Sequence, residues 1–204
     1  MGSIIAILAR SIPIETARAQ QMLAAAPHRG NDFTMRQNGD CVLGVSNDPE
    51  LIDSTLSRDG QLTAVVSGKL DNAGDLVRAL TDSGYPPVSA DAADIVVAAF
   101  RAYGPDAPNR MRGVFAGIVT DGRALWCFRD HLGFKPLFYR DDPKGFFVAT
   151  EAKQIIAGAA LRREPDPEVL EQIFYGKMAE DMSCALKGVN RLAKATTLAV
   201  EPGK

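Results

Sequence analysis

Two periods of apolar and polar positions run through the chain and divide it into recognisable elements. Ser3–Ala9 is a continuous short apolar run, which predicts a strand buried on both faces. Ile14–Ala26 is alanine-rich and stops at Pro27, which predicts a helix. Phe33–Arg36 and Cys41–Val45 read as short strands, and Leu62–Ser67 as a further apolar strand. The last of these passes through Gly68 into a helix that starts near Asp71-Asn72 and stops at Gly84. Asp91–Tyr103 places Ile95, Val96, Ala99 and Phe100 at helical spacing and closes at Gly104-Pro105.

Beyond residue 112 the character changes. Gly113–Thr120, Ala124–Phe128, Leu137–Tyr139 and Phe146–Ala149 are short runs separated by Asp121-Gly122, Gly133 and Asp142-Pro143, the pattern of an antiparallel meander. Glu151–Gly158 and Pro167–Tyr175 are expected as short helices, the second capped by Asp166. The tail alternates weakly through Leu192, Leu198 and Val200 and stops at Pro202-Gly203. It is expected to be poorly ordered, because nothing in it supplies a cap or a partner strand. This order of strands and helices implies an α+β fold in which helices cover antiparallel sheets.

Residues 129–139, Arg-Asp-His-Leu-Gly-Phe-Lys-Pro-Leu-Phe-Tyr, carry the densest signal. A strand ends at Arg129-Asp130, the chain turns at Gly133, and an aromatic strand restarts after Pro136. Proline is tolerated there because a strand start gives up only one ladder donor. The aromatic positions Phe128, Phe134, Phe138, Tyr139, Phe146 and Phe147 alternate at strand spacing and read as core packing.

Composition narrows the function classes. The 204 residues suffice for one domain with a sizeable core, and 46% hydrophobic with 24% charged residues is a globular balance. A net charge of −2 with interspersed signs argues against a nucleic-acid surface or a polybasic membrane patch. No apolar run approaches the ~20 residues of a membrane helix. Cys41, Cys127 and Cys184 are odd in number and widely spaced. They read as core residues of a reducing compartment, the cytoplasm, and not as a zinc or disulfide set. His28 and His131, the two histidines, lie in different loops without a third donor nearby, so neither is assigned to a metal; His28 is expected to support its loop.

The 129–139 stretch resembles the signature of the asparagine-synthetase-type glutamine amidotransferases, and further matches follow in the same order. Ser3–Leu8 is similar to that family's opening strand, His28-Arg29-Gly30-Asn31-Asp32 to its "HRGPD" and Gly68-Lys69-Leu70-Asp71-Asn72 to its "NGEIYN". Met111–Ala116, Phe147–Lys153 and Leu186–Val189 with Arg191-Leu192 resemble its later motifs. The resemblance implies the four-layer αββα sandwich of the amino-terminal-nucleophile (Ntn) hydrolases. It also implies a domain over residues 1–185 and a linker over 186–204 leading toward an ATP-dependent synthetase domain.

In active members an amino-terminal Cys attacks the glutamine amide with its own α-amine as base, while an Asn side chain and a Gly N–H stabilise the oxyanion. An Arg and an Asp hold the substrate's α-carboxylate and α-amine. Here Gly2 stands at the nucleophile position and Ser67, beside Gly68, at the oxyanion Asn. The stretch Leu43–Asp48, which should carry the Arg, has none. Spacing puts Ala92 at the ammonium-binding Asp, with Asp91 one residue away. Ser3 is no substitute for the nucleophile, since alternation turns it to the other strand face. Arg129, Asp130, Gly133, Lys135 and Pro136 are kept and are read as structural, Arg129–Asp130 as an ion pair.

The resemblance therefore implies a degenerate amidotransferase domain, like those of β-lactam and lasso-peptide macrolactam synthetases, which scaffolds an ATP-dependent amide-bond-forming module. No cofactor is expected in this chain; ATP and Mg²⁺ belong to that module. The expected partner is the synthetase domain or subunit, or a second copy of the chain, with the 129–136 corner near the contact. Two alternatives stand beside this reading. One is an active glutaminase in which Gly2 replaces a native Cys; the other is a stand-alone ligand-binding module.

Overall fold

The computed structural model describes residues 2–11, 13, 16–177 and 183–201. Two antiparallel sheets lie face to face. The first has the order β10-β8-β9-β1-β3-β2 and the second β11-β7-β6-β5-β4. The first sheet is built around β1 (Ser3–Ala9), flanked by β3 (Cys41–Asn47) and β9 (Gly145–Ala149), with β2 (Asp32–Asn38) at one edge and β8 (Phe138–Asp142) and β10 (Asn190–Arg191) at the other. The second contains β4 (Ser54–Asp59), β5 (Leu62–Leu70), β6 (Gly113–Thr120), β7 (Leu125–Arg129) and β11 (Thr197–Val200).

Period-two alternation explains why β1 reads as an unbroken apolar run. Ile4, Ala6 and Leu8 point into the space between the sheets, where they meet Leu43, Val65, Ile118, Phe146 and Val148. Ile5 and Ile7 point outward and are covered by Met22 and Leu23 of α1 (Thr16–Ala24) and Ile155 of α4 (Ala152–Gly158). On the far side, α2 (Ala73–Asp82) and α3 (Ala92–Tyr103) cover the second sheet through Leu76, Leu80, Val96 and Phe100 against Val66, Phe115 and Phe128. The layers are thus helix, sheet, sheet, helix. The α1 start expected at Ile14 lies outside the described residues. Asp166 caps α5 (Pro167–Phe174) as expected, accepting from the N–H groups of Glu168 (3.1 Å) and Val169 (3.2 Å).

Two sequence expectations are corrected. The strand β4 was not anticipated, although Asp59-Gly60 is a hairpin signal. Asp59 pairs with Leu62 across a two-residue turn, and Gly60 takes the positive φ (+62°) that such a turn needs. The tail, expected to be poorly ordered, instead supplies strands to both sheets. Asn190 pairs with Tyr139, Leu198 pairs with Cys127, and Leu192 donates its N–H to Leu137 O (2.8 Å) and is buried in the inter-sheet core. The physical reason is that β7 and β8 would otherwise end their sheets with rows of unpaired N–H and C=O groups.

Candidate functional site

The first cluster forms where β1 begins. Gly2 lies on the inner side of the strand, and Arg29 Nη1 donates to its carbonyl (3.3 Å). Ser3 faces the other way: its hydroxyl is bonded to Ser46 Oγ (2.7 Å) and accepts from Gln154 Nε2 (3.1 Å). The space beside Gly2 is filled. A Cβ on this residue would stand 2.5 Å from Ser54 Oγ and 2.6 Å from both Asn47 Oδ1 and the Ser46 carbonyl oxygen. Asn47 is fixed in turn. Its Nδ2 donates to Ser54 O (2.8 Å), and its Oδ1 accepts from the N–H groups of Asp53 (3.2 Å) and Ser54 (3.0 Å). The buried Ser54 hydroxyl has no hydrogen-bond partner among the described residues.

The His-Arg-Gly loop braces this cluster from the side. Glu151 bonds to His28 Nε2 (2.7 Å), to Arg29 Nε and to Lys153 Nζ (3.1 Å). Burial alone would raise the Glu151 carboxyl, but hydrogen bonds from Arg29, Lys153 and His28 outweigh it and hold the pKa at about 2, against an ordinary 4.5. A carboxyl depressed in the folded state stabilises the fold above pH ~4.5 and loses that contribution as pH falls toward ~2. Glu151→Gln is therefore expected to flatten the acid limb of stability between those values. After allowance for solvent screening of this partly exposed group, the effect is on the order of 1 kcal/mol. Urea midpoints of both proteins at pH 7 and pH 3 check this, and parallel pH curves would contradict it.

The second cluster gathers Ser67, Gly68, Asp53 and Lys135. Gly68 sits at φ +106°, pressed against Val114 O, so that no other residue fits there. Its N–H donates to the Asp53 main-chain oxygen (2.8 Å). The Ser67 hydroxyl donates to Asp53 Oδ2 (3.4 Å), and Lys135 Nζ pairs with the same oxygen (2.5 Å). Both groups expected to stabilise an oxyanion are thus already bonded to one residue that the sequence had not singled out. Asp91 faces the same cavity as this knot and makes no side-chain bond to it. It is exposed at the start of α3 and makes no side-chain cap bond. It lines a cavity of 250 Å³ together with Ile52, Asp53, Gly68 and Lys69.

The third cluster is the signature corner. Arg129 donates from Nε to Lys135 O (2.7 Å), from Nη2 to Gly133 O (2.5 Å) and from Nη1 to Leu192 O. The Asp130 carboxylate accepts from the N–H groups of Leu132 (3.0 Å), Phe134 (3.2 Å) and Lys135 (3.1 Å). Its main-chain oxygen accepts from Gly133 and Ala195. In place of the expected simple ion pair, both side chains act as clamps on main chain. Gly133 allows the turn at φ +70° and passes close to the Arg129 guanidinium, and Pro136 follows in the connection to β8. The corner thereby points Lys135 at Asp53 and holds the returning tail.

Among the described residues no group of His, Cys, Asp and Glu is placed to hold a metal ion, and no helix is long and apolar enough to cross a membrane. Cys41 and Cys127 are buried, and burial pushes the Cys41 thiol up to about 11 and the Cys127 thiol up further.

Comparison with known proteins places this geometry. A family model described as a glutamine amidotransferase domain matches residues 1–204. The chain is 27% identical over 139 residues to asparagine synthetase [glutamine-hydrolyzing] 3 of Bacillus subtilis (strain 168), which covers 67% of this chain and 23% of that protein. It is 31% identical over 116 residues to amidase chyE of Penicillium rubens, covering 52% and 17%. The chain therefore spans about a quarter or less of the length of these relatives. Among solved structures, glutamine phosphoribosylpyrophosphate amidotransferase from B. subtilis, complexed with ADP and GMP, superposes with a TM-score of 0.62 at 12% identity. The match covers 98% of this chain and 49% of that one. That likeness shows the fold, the αββα sandwich of Ntn-hydrolase amidotransferases.

Proposed function

The chain belongs to the glutamine amidotransferase domain family, of the asparagine synthetase type, and we propose that its glutaminase site is closed and that it scaffolds an ATP-dependent amide-bond-forming module. The observation that carries this reading is the space beside Gly2. A nucleophile's Cβ would overlap Ser54, Asn47 and the Ser46 main chain, so the site is packed for glycine. Hydrolysis by this fold needs a thiolate at that point, an oxyanion donor and a clamp for the substrate carboxylate. Gly2 supplies no side chain. The Gly68 N–H and the Ser67 hydroxyl are taken by Asp53. The stretch Leu43–Asp48 offers no Arg to hold a glutamine carboxylate.

ATP and Mg²⁺ would act in the partner module, a synthetase domain or subunit that forms an asparagine-, β-lactam- or lasso-peptide-type amide. The unpaired thiols of Cys41, Cys127 and Cys184 suit a cytoplasmic setting.

The chain is expected to release no ammonia from glutamine above background. Turnover near ~1 per second, the range of ordinary enzymes, would overturn the reading.

One observation favours a ligand-binding module instead: the cavity beside Asp91 and Gly68. At 250 Å³ it falls below the ~300–1,000 Å³ typical of ligand pockets, which leaves the scaffold reading in front.

A further inference from the structure

Helix α5 is unlike the other described α-helices in having no buried residue. It stands off the sandwich on a narrow neck, where the Asp166 N–H donates to Ala185 O (2.9 Å), the Lys187 N–H donates to Glu164 O (3.0 Å), and Pro165 bridges Leu186. Leu170, Ile173 and Phe174 fall at i, i+3 and i+4 on one side of it, with Tyr175 at its end. They are 42%, 53%, 84% and 67% exposed, and the Phe174 and Tyr175 rings meet edge-on with centroids 5.5 Å apart. A contiguous stripe of this kind on a helix marks an interaction surface.

We propose that α5 pairs antiparallel with α5 of a second copy of this chain, forming a weak two-fold dimer. Charge along the helix selects this occupant. Its amino-terminal half carries Asp166, Glu168 and Glu171 without a base, and the first basic residue is Lys177, just past the carboxy-terminal end. Glu168, Glu171, Gln172, Tyr175 and Lys177 line one groove beside the stripe, acidic at one end and basic at the other. A two-fold partner running the opposite way sets its Lys177 against the acidic end and its Glu168 against Lys177, and opposes the two helix dipoles. A parallel partner would set like charges together.

The area agrees with a weak association. Two aromatic side chains of ~150–250 Å² each, with Leu170 and Ile173, give roughly 1,000 Å² across the pair, the lower edge of specific interfaces. The dimer is independent of whether the glutaminase site is closed.

Sedimentation equilibrium of the chain tests the proposal. The mass is expected to rise from 21.9 kDa at ~1 μM toward twice that value at ~0.5 mM, as a weak interface of this size requires. Ile173→Glu/Phe174→Glu is expected to weaken association at least ~10-fold by placing acids against acids at the centre of the patch. Thermal unfolding should change little, since Ile173 and Phe174 are largely exposed and no residue of α5 is fully buried. Lys177→Glu should weaken it several-fold, and adding Glu168→Lys should recover it, a reciprocity peculiar to the antiparallel arrangement. Leu132→Glu/Phe134→Glu, at another exposed apolar site, should leave it unchanged. A monomer at every concentration, an Ile173/Phe174 variant that dimerises like wild type, or loss of the dimer through the Leu132/Phe134 variant would each overturn the proposal.

Discussion

Arg129→Ala is expected to lower the unfolding free energy by ~3–5 kcal/mol, the largest single-residue effect in the molecule outside the apolar core. The guanidinium is almost fully buried and donates to Lys135 O, Gly133 O and Leu192 O. Alanine removes the donor and leaves Leu192 O buried, and Gly133 O and Lys135 O partly buried, without it. A buried group stranded in this way costs ~1–3 kcal/mol. Leu192 O meets that cost in full and the other two carbonyls in part. Domains of this kind are stable by only ~5–15 kcal/mol, so the variant would stand near the threshold of folding.

Arg129→Lys should recover little. One ammonium on a flexible stem cannot reproduce a planar fork that reaches the turn and the tail together. Urea titration measures the loss. Hydrogen exchange should show that the Leu192–Val200 segment opens first, because Leu192 O is where the corner holds the tail. A loss below ~1 kcal/mol would mean that the corner is held by packing, with the guanidinium a bystander.

The same corner shows what was legible in the sequence and what was not. Its turn was readable because Gly133 and Pro136 act locally, through their own φ angles and missing groups. The roles of Arg129 and Asp130 as main-chain clamps were not, because one end of the contact lies 63 residues away at Leu192. The layering was readable for a related reason. Alternation in β1 and the three-and-four spacing in α3 are written in consecutive residues, and each buried face demands a cover. The tail was misread because Thr197–Val200 is weakly patterned, and its place is set by the open edge of β7.

Asp53 was the most costly omission. It lies outside Leu43–Asp48, the stretch in which the resemblance places an arginine, and no motif marks it. Its meaning lies in Lys135, 82 residues on, and in the N–H of Gly68, neither of which a local pattern reports. The one available signal was Asp59-Gly60. Read as a hairpin, it places Ser54–Asp59 antiparallel to β5 and so brings Ser54 opposite Ser67.

Gly2→Cys, with Met1 removed, is expected to produce a thiol beside its own amine and still no useful glutaminase. Turnover should stay at least ~1,000-fold below the ~1 per second of an ordinary enzyme. Three independent obstacles support this. The first is steric: the new Cβ would lie 2.6 Å from the Ser46 carbonyl oxygen, a main-chain atom that cannot swing aside, and overpacking of this sort destabilises by ~1–3 kcal/mol. The second is the oxyanion site, whose Gly68 N–H already has Asp53 O as its acceptor at 2.8 Å. The third is the substrate clamp. Without an Arg, glutamine loses a charge-assisted contact of ~1.5–3 kcal/mol, a factor of roughly 10–100 in affinity.

The obstacles can be separated. Adding Ser54→Gly to Gly2→Cys removes the hydroxyl 2.5 Å from the new Cβ and should recover part of the stability while leaving turnover unchanged. Adding Asp53→Ala frees the Gly68 N–H only if the β3–β4 connection shifts, and it also strands Lys135, so it should cost stability before it adds activity. Ammonia release against glutamine concentration, with thermal unfolding of each variant, tells these apart. Saturable turnover of Gly2→Cys alone at millimolar glutamine would show that the site opens on binding and that the closed arrangement around Asp53 is one state of a working glutaminase.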